Sequence, residues 1–178
     1  YPFVKRLSDI LLSLTGLVLL SPILGIVALC IKLYDGGPVF YKQTRLTEGH
    51  KIFEIYKFRS MVVDAEKGGA RLASRNDNRI TPVGKFIRMT RIDELPQLIN
   101  IIKGDMSVVG PRPERPEIEA KYLKELPEFE LRLKVKAGLT GYAQVFGKYN
   151  TTPYDKLRLD LLYINEQSVL LDLKLIVW

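Results

Sequence analysis

The chain has 178 residues with 27 Lys and Arg against 20 Asp and Glu, a net charge of +7 that calls for anionic partners: a phosphorylated substrate, acidic lipid or nucleic acid. One cysteine, Cys30, rules out a disulfide framework and a thiolate metal site, and one histidine, His50, rules out a His-based zinc cluster and argues against a Ser-His-Asp triad. Any catalysis must therefore run on carboxylates, Lys, Arg or a hard metal ion.

From Ile10 to Ile31 the sequence carries no charge. As a straight helix this run would reach about 33 Å, enough to cross a bilayer core. A cleaved signal peptide fits poorly, because the run is long and no small-x-small site follows. Leu29 before Cys30 is too bulky for a lipoprotein signal. Ser21-Pro22 falls near the middle: Pro22 offers no N–H to Val18 and pushes Ser21 away from helical geometry. Lys5 and Arg6 precede the run and Lys32, Lys42 and Arg45 follow it, so both ends carry the positive charge that marks the cytoplasmic side. A re-entrant helix over residues 1–34, broken at Ser21 and Pro22, satisfies both facts; a plain spanning helix remains open, since proline kinks are tolerated there.

Residues 35–178 are long enough for one compact domain. Val39 to Leu46 and Lys51 to Arg59, rich in aromatic and β-branched residues, flank a turn at Thr47–His50 and predict a hairpin. A short helix is expected from Met61 to about Leu72, then a polar loop from Ala73 to Thr81. Pro82–Met89 suits a helix with Val83, Phe86 and Ile87 on one face. Glu94–Lys103 suits another, with Asp93 as N-cap and Gly104 as stop. Val108 to Glu114 is proline-dense and reads as a stiff loop. Pro116–Lys134 predicts helix interrupted near Pro127. Gly138–Gly141 predicts a turn leading into a strand over Tyr142–Phe146, and helices over Asp155–Glu166 and Leu170–Trp178 close the chain. The class is mixed α/β, helix-predominant, with a small hairpin. The chain starts at Tyr1 without Met and stops at Trp178 in mid-pattern, so it is expected to be a piece of a longer protein.

Asp93 and Glu94 stand at a predicted helix start beside Lys85, Arg88 and Arg91. Acidic residues there serve the helix end in most proteins, and caps outnumber active sites. The same position suits phosphate chemistry: a helix start with nearby arginines binds phosphate, a carboxylate there can attack phosphorus, and its neighbour can hold Mg²⁺ against phosphate oxygens. Arg112, fixed between Pro111 and Pro113, is a cation set before any ligand arrives. Lys57 and Arg59 share one face of the second strand, which by itself reads as a solvated face. The Gly138–Gln144 turn could offer amides to an anion, a weak signal alone.

Five blocks occur in order behind the Ser-Pro-broken helix: Tyr56-Lys-Phe-Arg-Ser-Met61, Asp93-Glu-Leu-Pro-Gln-Leu98, Lys103-Gly-Asp-Met-Ser107, Gly110-Pro-Arg-Pro-Glu114 and Gly138-Leu-Thr-Gly-Tyr-Ala-Gln-Val145. Over about residues 3–175 the chain resembles the bacterial sugar transferase family, the monotopic phosphoglycosyl transferases that act on polyprenyl phosphate. The resemblance implies a re-entrant membrane helix and transfer of a sugar-1-phosphate from a UDP-sugar to undecaprenyl phosphate with release of UMP, the first membrane step of bacterial glycan assembly. It implies Asp93 as the nucleophile of a covalent aspartyl intermediate, and Glu94 as its partner and ligand to Mg²⁺. Lys57, Arg59, Arg88, Arg112 and Gln144 would contact substrate. The long 61–82 segment looks like the larger members of the family. The expected partners are a UDP-sugar, undecaprenyl phosphate and membrane lipids rather than nucleic acid, with a homodimer left open. The expected place is the bacterial inner membrane, active site toward the cytoplasm. Ala137 departs from the family's usual proline, and Gln167 from a frequent tryptophan. The rivals from other classes are a membrane-anchored polyanion-binding protein and a passive scaffold subunit of a glycan assembly complex.

Overall fold

In the computed structural model, which describes residues 1–65, 77–148 and 151–177, the apolar run lies within one helix of 34 residues, α1, Pro2–Asp35. The break expected at Ser21-Pro22 does not end it. Pro22 strands the carbonyl of Val18, and the Ser21 hydroxyl donates to that same oxygen at 2.8 Å, so a side chain replaces the lost backbone bond. Gly36, at φ 72, closes the helix in the left-handed conformation.

One stripe of α1 packs on the rest of the chain. Leu17 meets the cluster Phe53, Ile55, Leu98, Ile101, Met106 and Ala137, and Val27 and Ile31 meet Phe58 and Ile87. Polar ties hold both ends. Arg6 donates to the carbonyls of Ile101 (2.6 Å) and Ile102 (2.8 Å), Asp9 accepts from the Val108 N–H at 3.0 Å, and Lys5 pairs with Asp172 at 2.9 Å. At the far end Asp35 pairs with Arg59. The opposite face of α1 leaves Phe3, Leu7, Leu11, Leu14, Val18, Ile26, Leu29 and Leu33 exposed. By length and composition the helix could cross a membrane.

The predicted hairpin is present. β1 (Phe40–Thr47) and β2 (Lys51–Phe58) pair antiparallel from Phe40↔Phe58 to Thr47↔Lys51, joined by the 3₁₀ turn Glu48–His50 in which Gly49 and His50 both take positive φ. Met61 bridges to Ile80 and residues 63–65 form a turn, so the helix expected from Met61 does not begin there; its remainder, and residues 73–76 of the expected 73–81 loop, lie outside the described residues. α2 (Pro82–Met89) forms as predicted, capped by the Thr81 hydroxyl on the Gly84 N–H at 2.9 Å. Its inward residues are Val83, Gly84 and Ile87, and Phe86 faces outward at 55% exposure, a correction to the expected face. Gly84 is required: a Cβ there would lie 1.9 Å from the Ser60 carbonyl oxygen.

The predicted helix after Arg91 divides in two. Ile92–Glu94 is a 3₁₀ turn, and α3 spans Gln97–Lys103, stopped by Gly104 as expected. Asp93 therefore does not cap a helix; Pro96, which lacks an N–H, occupies the start of α3 instead. β3 (Met106–Val109) runs parallel to β4 (Ala137–Thr140), so Val108 and Val109 belong to a strand and only Gly110 onward is loop. Gly138 is part of that strand because backbone replaces side chain there: a Cβ on Gly138 would sit 2.1 Å from the Gly110 nitrogen. Past β4 the order expected from sequence is reversed. Tyr142–Phe146 is a helix, α5, not a strand, with Gln144 and Val145 N–H groups on the Gly141 carbonyl. Its aromatic, β-branched composition was overridden by that local bonding. α4 (Pro116–Glu125) and the 3₁₀ segment Pro127–Lys134 match the predicted interrupted helix, and α6 (Pro153–Asn165) and α7 (Val169–Val177) the terminal pair.

Candidate active site

β2, the 3₁₀ turn and the loop after β3 converge on Glu94. Its Oε1 accepts from Lys57 Nζ at 2.9 Å and from Arg112 Nη2 at 2.8 Å, and its Oε2 lies 3.7 Å from Arg91 Nη1. Alternation along β2 turns Lys57 toward the turn, and Asn100 sets the distance between them. Fully buried on α3, Asn100 accepts from the Tyr56 N–H at 3.0 Å and donates to the Glu54 carbonyl at 2.8 Å, pairing with the free edge of β2 as another strand would. Burial alone would raise the Glu94 carboxyl; the Arg112 and Lys57 cations outweigh it and hold the group well below the usual carboxylate range. Burial also draws the Lys57 ammonium down, with Glu94 opposing.

Asp93, one residue earlier, lives under the opposite field. Burial first and the Glu94 charge second push its carboxyl up, against Lys57, Arg88 and Arg91. Its Oδ1 is buried and has no hydrogen-bond partner among the described residues. An unbonded carboxylate oxygen with a raised proton affinity is a better nucleophile than one saturated by cations, and the two acids sit in opposite electrostatic environments. Arg91 leads into the pair with φ 59, a left-handed backbone uncommon for a side chain of this size, and its head is exposed.

The structure thus brings together five of the residues singled out by sequence: Asp93, Glu94, Lys57, Arg112 and, through its field, Arg88. It places the other two apart from Glu94. Arg59, 7% exposed, forks onto Asp35 at the exit of α1. Gln144 donates to the Leu139 carbonyl at 2.8 Å, with its Oε1 buried and unpartnered. Ser21 and Pro22 lie on the exposed middle of α1. The sequence assigns no role to Asn100 and places Arg91 only in the basic cluster beside the two acids. A lone amide in the apolar run Leu98–Ile102 was the available signal for the first; the left-handed φ of the second had none.

Among the described residues no three His, Cys, Asp or Glu side chains gather into a metal cage. Two adjacent carboxylates, one with an oxygen free of hydrogen bonds, do fit an ion such as Mg²⁺, which takes one or two carboxylates and completes its shell with substrate phosphates and water.

The model of a family described as bacterial sugar transferase matches residues 1–178. A UDP-N-acetylgalactosamine-undecaprenyl-phosphate N-acetylgalactosaminephosphotransferase of Aeromonas hydrophila is 42% identical over 179 residues, covering 99% of this chain and 42% of that protein. A putative undecaprenyl-phosphate N-acetylgalactosaminyl 1-phosphate transferase of Bacillus subtilis is 50% identical over 133 residues, 75% of this chain and 74% of that protein. A UDP-glucose:undecaprenyl-phosphate glucose-1-phosphate transferase of Klebsiella pneumoniae is 44% identical over 177 residues, 97% of this chain and 38% of that protein. The chain spans less than half the length of the Aeromonas and Klebsiella proteins.

Proposed function

We propose that this chain, which belongs to the bacterial sugar transferase family, transfers a sugar-1-phosphate from a UDP-sugar to undecaprenyl phosphate and releases UMP, at the cytoplasmic face of the inner membrane. The observation that carries the reading is the divided acid pair: Glu94 locked as an anion by Lys57 and Arg112, and Asp93 left with a buried, unbonded oxygen. The names of the relatives supply the substrate classes, a UDP-sugar and undecaprenyl phosphate.

An oxygen of Asp93 attacks the sugar-linked phosphorus of the donor, the phosphoanhydride bond breaks, and UMP leaves with the electron pair. A phosphate oxygen of the lipid then attacks the same phosphorus and the Asp93 carboxylate departs, leaving the sugar on a lipid diphosphate. Arg112, Lys57 and Arg88 oppose the negative charge that builds on the transferring phosphoryl group. Glu94, with Asp93 beside it, would hold Mg²⁺, which when bound neutralises the donor diphosphate. The test is direct. Purified protein with a panel of UDP-sugars and undecaprenyl phosphate should release UMP for one donor class, stop with EDTA and resume with Mg²⁺ or Mn²⁺. Absence of turnover with every donor, or full turnover in chelator, would refute the reading.

The topology belongs to the same reading. Ties at Lys5, Arg6 and Asp9 and at Asp35 join both ends of α1 to one domain, which supports a helix whose two ends stay on the same side of the membrane rather than one that separates its ends by a bilayer. Cysteines at Pro2 and Tyr34, both exposed, in a Cys30→Ser background should both resist an impermeant thiol reagent in intact cells and both react after permeabilisation. Labelling of one end alone would mean a spanning helix.

The acid limb of the pH–rate profile should report Asp93. Its raised proton affinity puts that limb above the ordinary Asp value of 3.8, and Arg91→Gln, by removing a cation that lowers it, should move the limb to higher pH. A limb that stays in place in Arg91→Gln would assign the titration to another group.

A further inference from the structure

The loop carrying Arg112 has four consecutive carbonyls, and each is taken by a donor from β1, from β4 or from the 3₁₀ segment before β4. The Gly138 N–H donates to Pro111 at 2.8 Å, Arg132 Nη2 to Arg112 at 2.8 Å, Arg45 Nη1 to Pro113 at 2.9 Å, and the Leu46 N–H to Glu114 at 3.0 Å. Two of these donors are backbone groups of neighbouring strands. The other two are charged side chains brought from β1 and from the 3₁₀ segment before β4, and each is itself held from behind. Arg132, 2% exposed, donates through Nε to Asp160 Oδ2 on α6 at 2.6 Å, and Arg45 donates through Nη2 to Gln43. Pro111 and Pro113 already limit φ on both sides of Arg112, so the clamps remove what backbone freedom is left.

We propose that Arg132, oriented by Asp160, and Arg45 are positioning residues: they fix the Pro111–Glu114 backbone so that the Arg112 guanidinium meets Glu94 and the donor phosphates without rearrangement. The geometry favours this over a purely stabilising role. A buried Arg serving only the interior would be satisfied by the acids around it, and Asp160, Glu114 and Glu119 all lie within 4.0 Å of Arg132. Arg132 instead spends one arm on the backbone carbonyl of Arg112 itself. Arg45, in turn, has no carboxylate in hydrogen-bond contact among the described residues; its donors go to Pro113 and to Gln43. The planar fork is needed in both cases, because one head must reach a carbonyl and a second acceptor at fixed angles, which a lysine ammonium cannot reproduce.

This rests on the phosphoryl-transfer reading above. The experiment is a set of double-mutant cycles on the purified membrane protein, reading UMP release, KM for the UDP-sugar and thermal unfolding. Arg132→Lys and Arg45→Lys keep the charge and lose the fork. Each should lower kcat/KM by about 10- to 100-fold, the scale of a misplacement near 1 Å, and raise KM in the sense that Arg112→Lys does. Placed on Arg112→Lys, neither should cost further activity, since the group they position has already lost its geometry. A role in stability alone predicts the reverse: a lower melting temperature with wild-type turnover in the folded fraction, or losses that multiply with Arg112→Lys. Either of these overturns the proposal. Should Arg132→Lys fail to fold, Arg45→Lys, a partly exposed site, decides alone. Wild-type protein that turns over no UDP-sugar would strike the functional reading first, and the positioning claim would fall with it.

Discussion

Asp93→Asn protein is expected to fold with a melting temperature no lower than wild type and to show no catalysis. Wild-type protein given the correct UDP-sugar without lipid should release UMP in a burst no larger than the enzyme concentration and gain the mass of a sugar phosphate; the variant should do neither. The stability half follows from the field at the site. Burial and the neighbouring Glu94 charge disfavour the ionised Asp93, and its Oδ1 is unbonded, so the folded state bears a cost for that charge whenever pH exceeds the ordinary Asp value of 3.8. Asn removes the charge at nearly constant shape. Because Asp93 is only partly buried, the amide nitrogen can face solvent while the oxygen turns inward. The advantage of the variant should therefore grow as pH rises above 3.8 and vanish in acid. An adduct on Asp93→Asn, or a wild type that releases UMP only once lipid is added, would remove Asp93 as nucleophile and require direct transfer between the two substrates.

What the sequence made legible was what short range determines. The β1–β2 hairpin, the Pro82 start of α2, the Gly104 stop and the α4 interruption at Pro127 each depend on a few adjacent residues, and each formed as expected. The candidate acids could be singled out for a different reason: Asp93-Glu94 and Pro111-Arg-Pro113 are contiguous motifs, which the fold brings into contact. The misread segments are those where distant backbone decides or where a local bond overrides the composition. Val108 and Val109 became a strand because β4 pairs with them, and Tyr142–Phe146 became a helix because Gly141 supplies its first acceptor. Asp93 lost its expected cap role when α3 started at Pro96 instead. The strand face of Arg59 reads as solvated and only the family resemblance makes it a substrate contact, yet an acid 24 positions earlier at the end of α1 holds it. No spacing rule in the sequence connects Arg45 or Arg132 to the Arg112 loop, 68 and 20 positions away.

Glu94→Gln should be the mirror image of Asp93→Asn: inactive, and also unstable. Among the described residues Glu94 is the one carboxylate bonded to both Lys57 and Arg112; it and Lys57 are largely removed from solvent, and Arg112 is partly so. Neutralising it leaves two cations facing one amide, and breaking one partner of a buried pair costs about 3–5 kcal/mol. Lys57, already drawn down by burial, loses the charge that opposed that shift and should titrate at still lower pH. The rate should fall by roughly 100- to 1,000-fold or more, because Arg112 loses the anchor that aims it and the proposed metal loses its anionic ligand. The pH dependence separates this from general damage. The Glu94 carboxyl is held below its ordinary value of 4.5, so its contribution to stability is complete above that pH and is lost as pH falls from there toward the folded-state value. Wild type and Glu94→Gln should therefore differ most in melting temperature near neutrality and converge in acid, whereas Asp93→Asn should move with the opposite sign. Two neighbouring carboxylates that shift stability in opposite directions with pH would establish that the protein fixes one as a permanent anion and keeps the other reactive. A Glu94→Gln protein as stable as wild type at neutral pH would mean that Lys57 and Arg112 do not depend on it, and the divided-acid account of the site would fail.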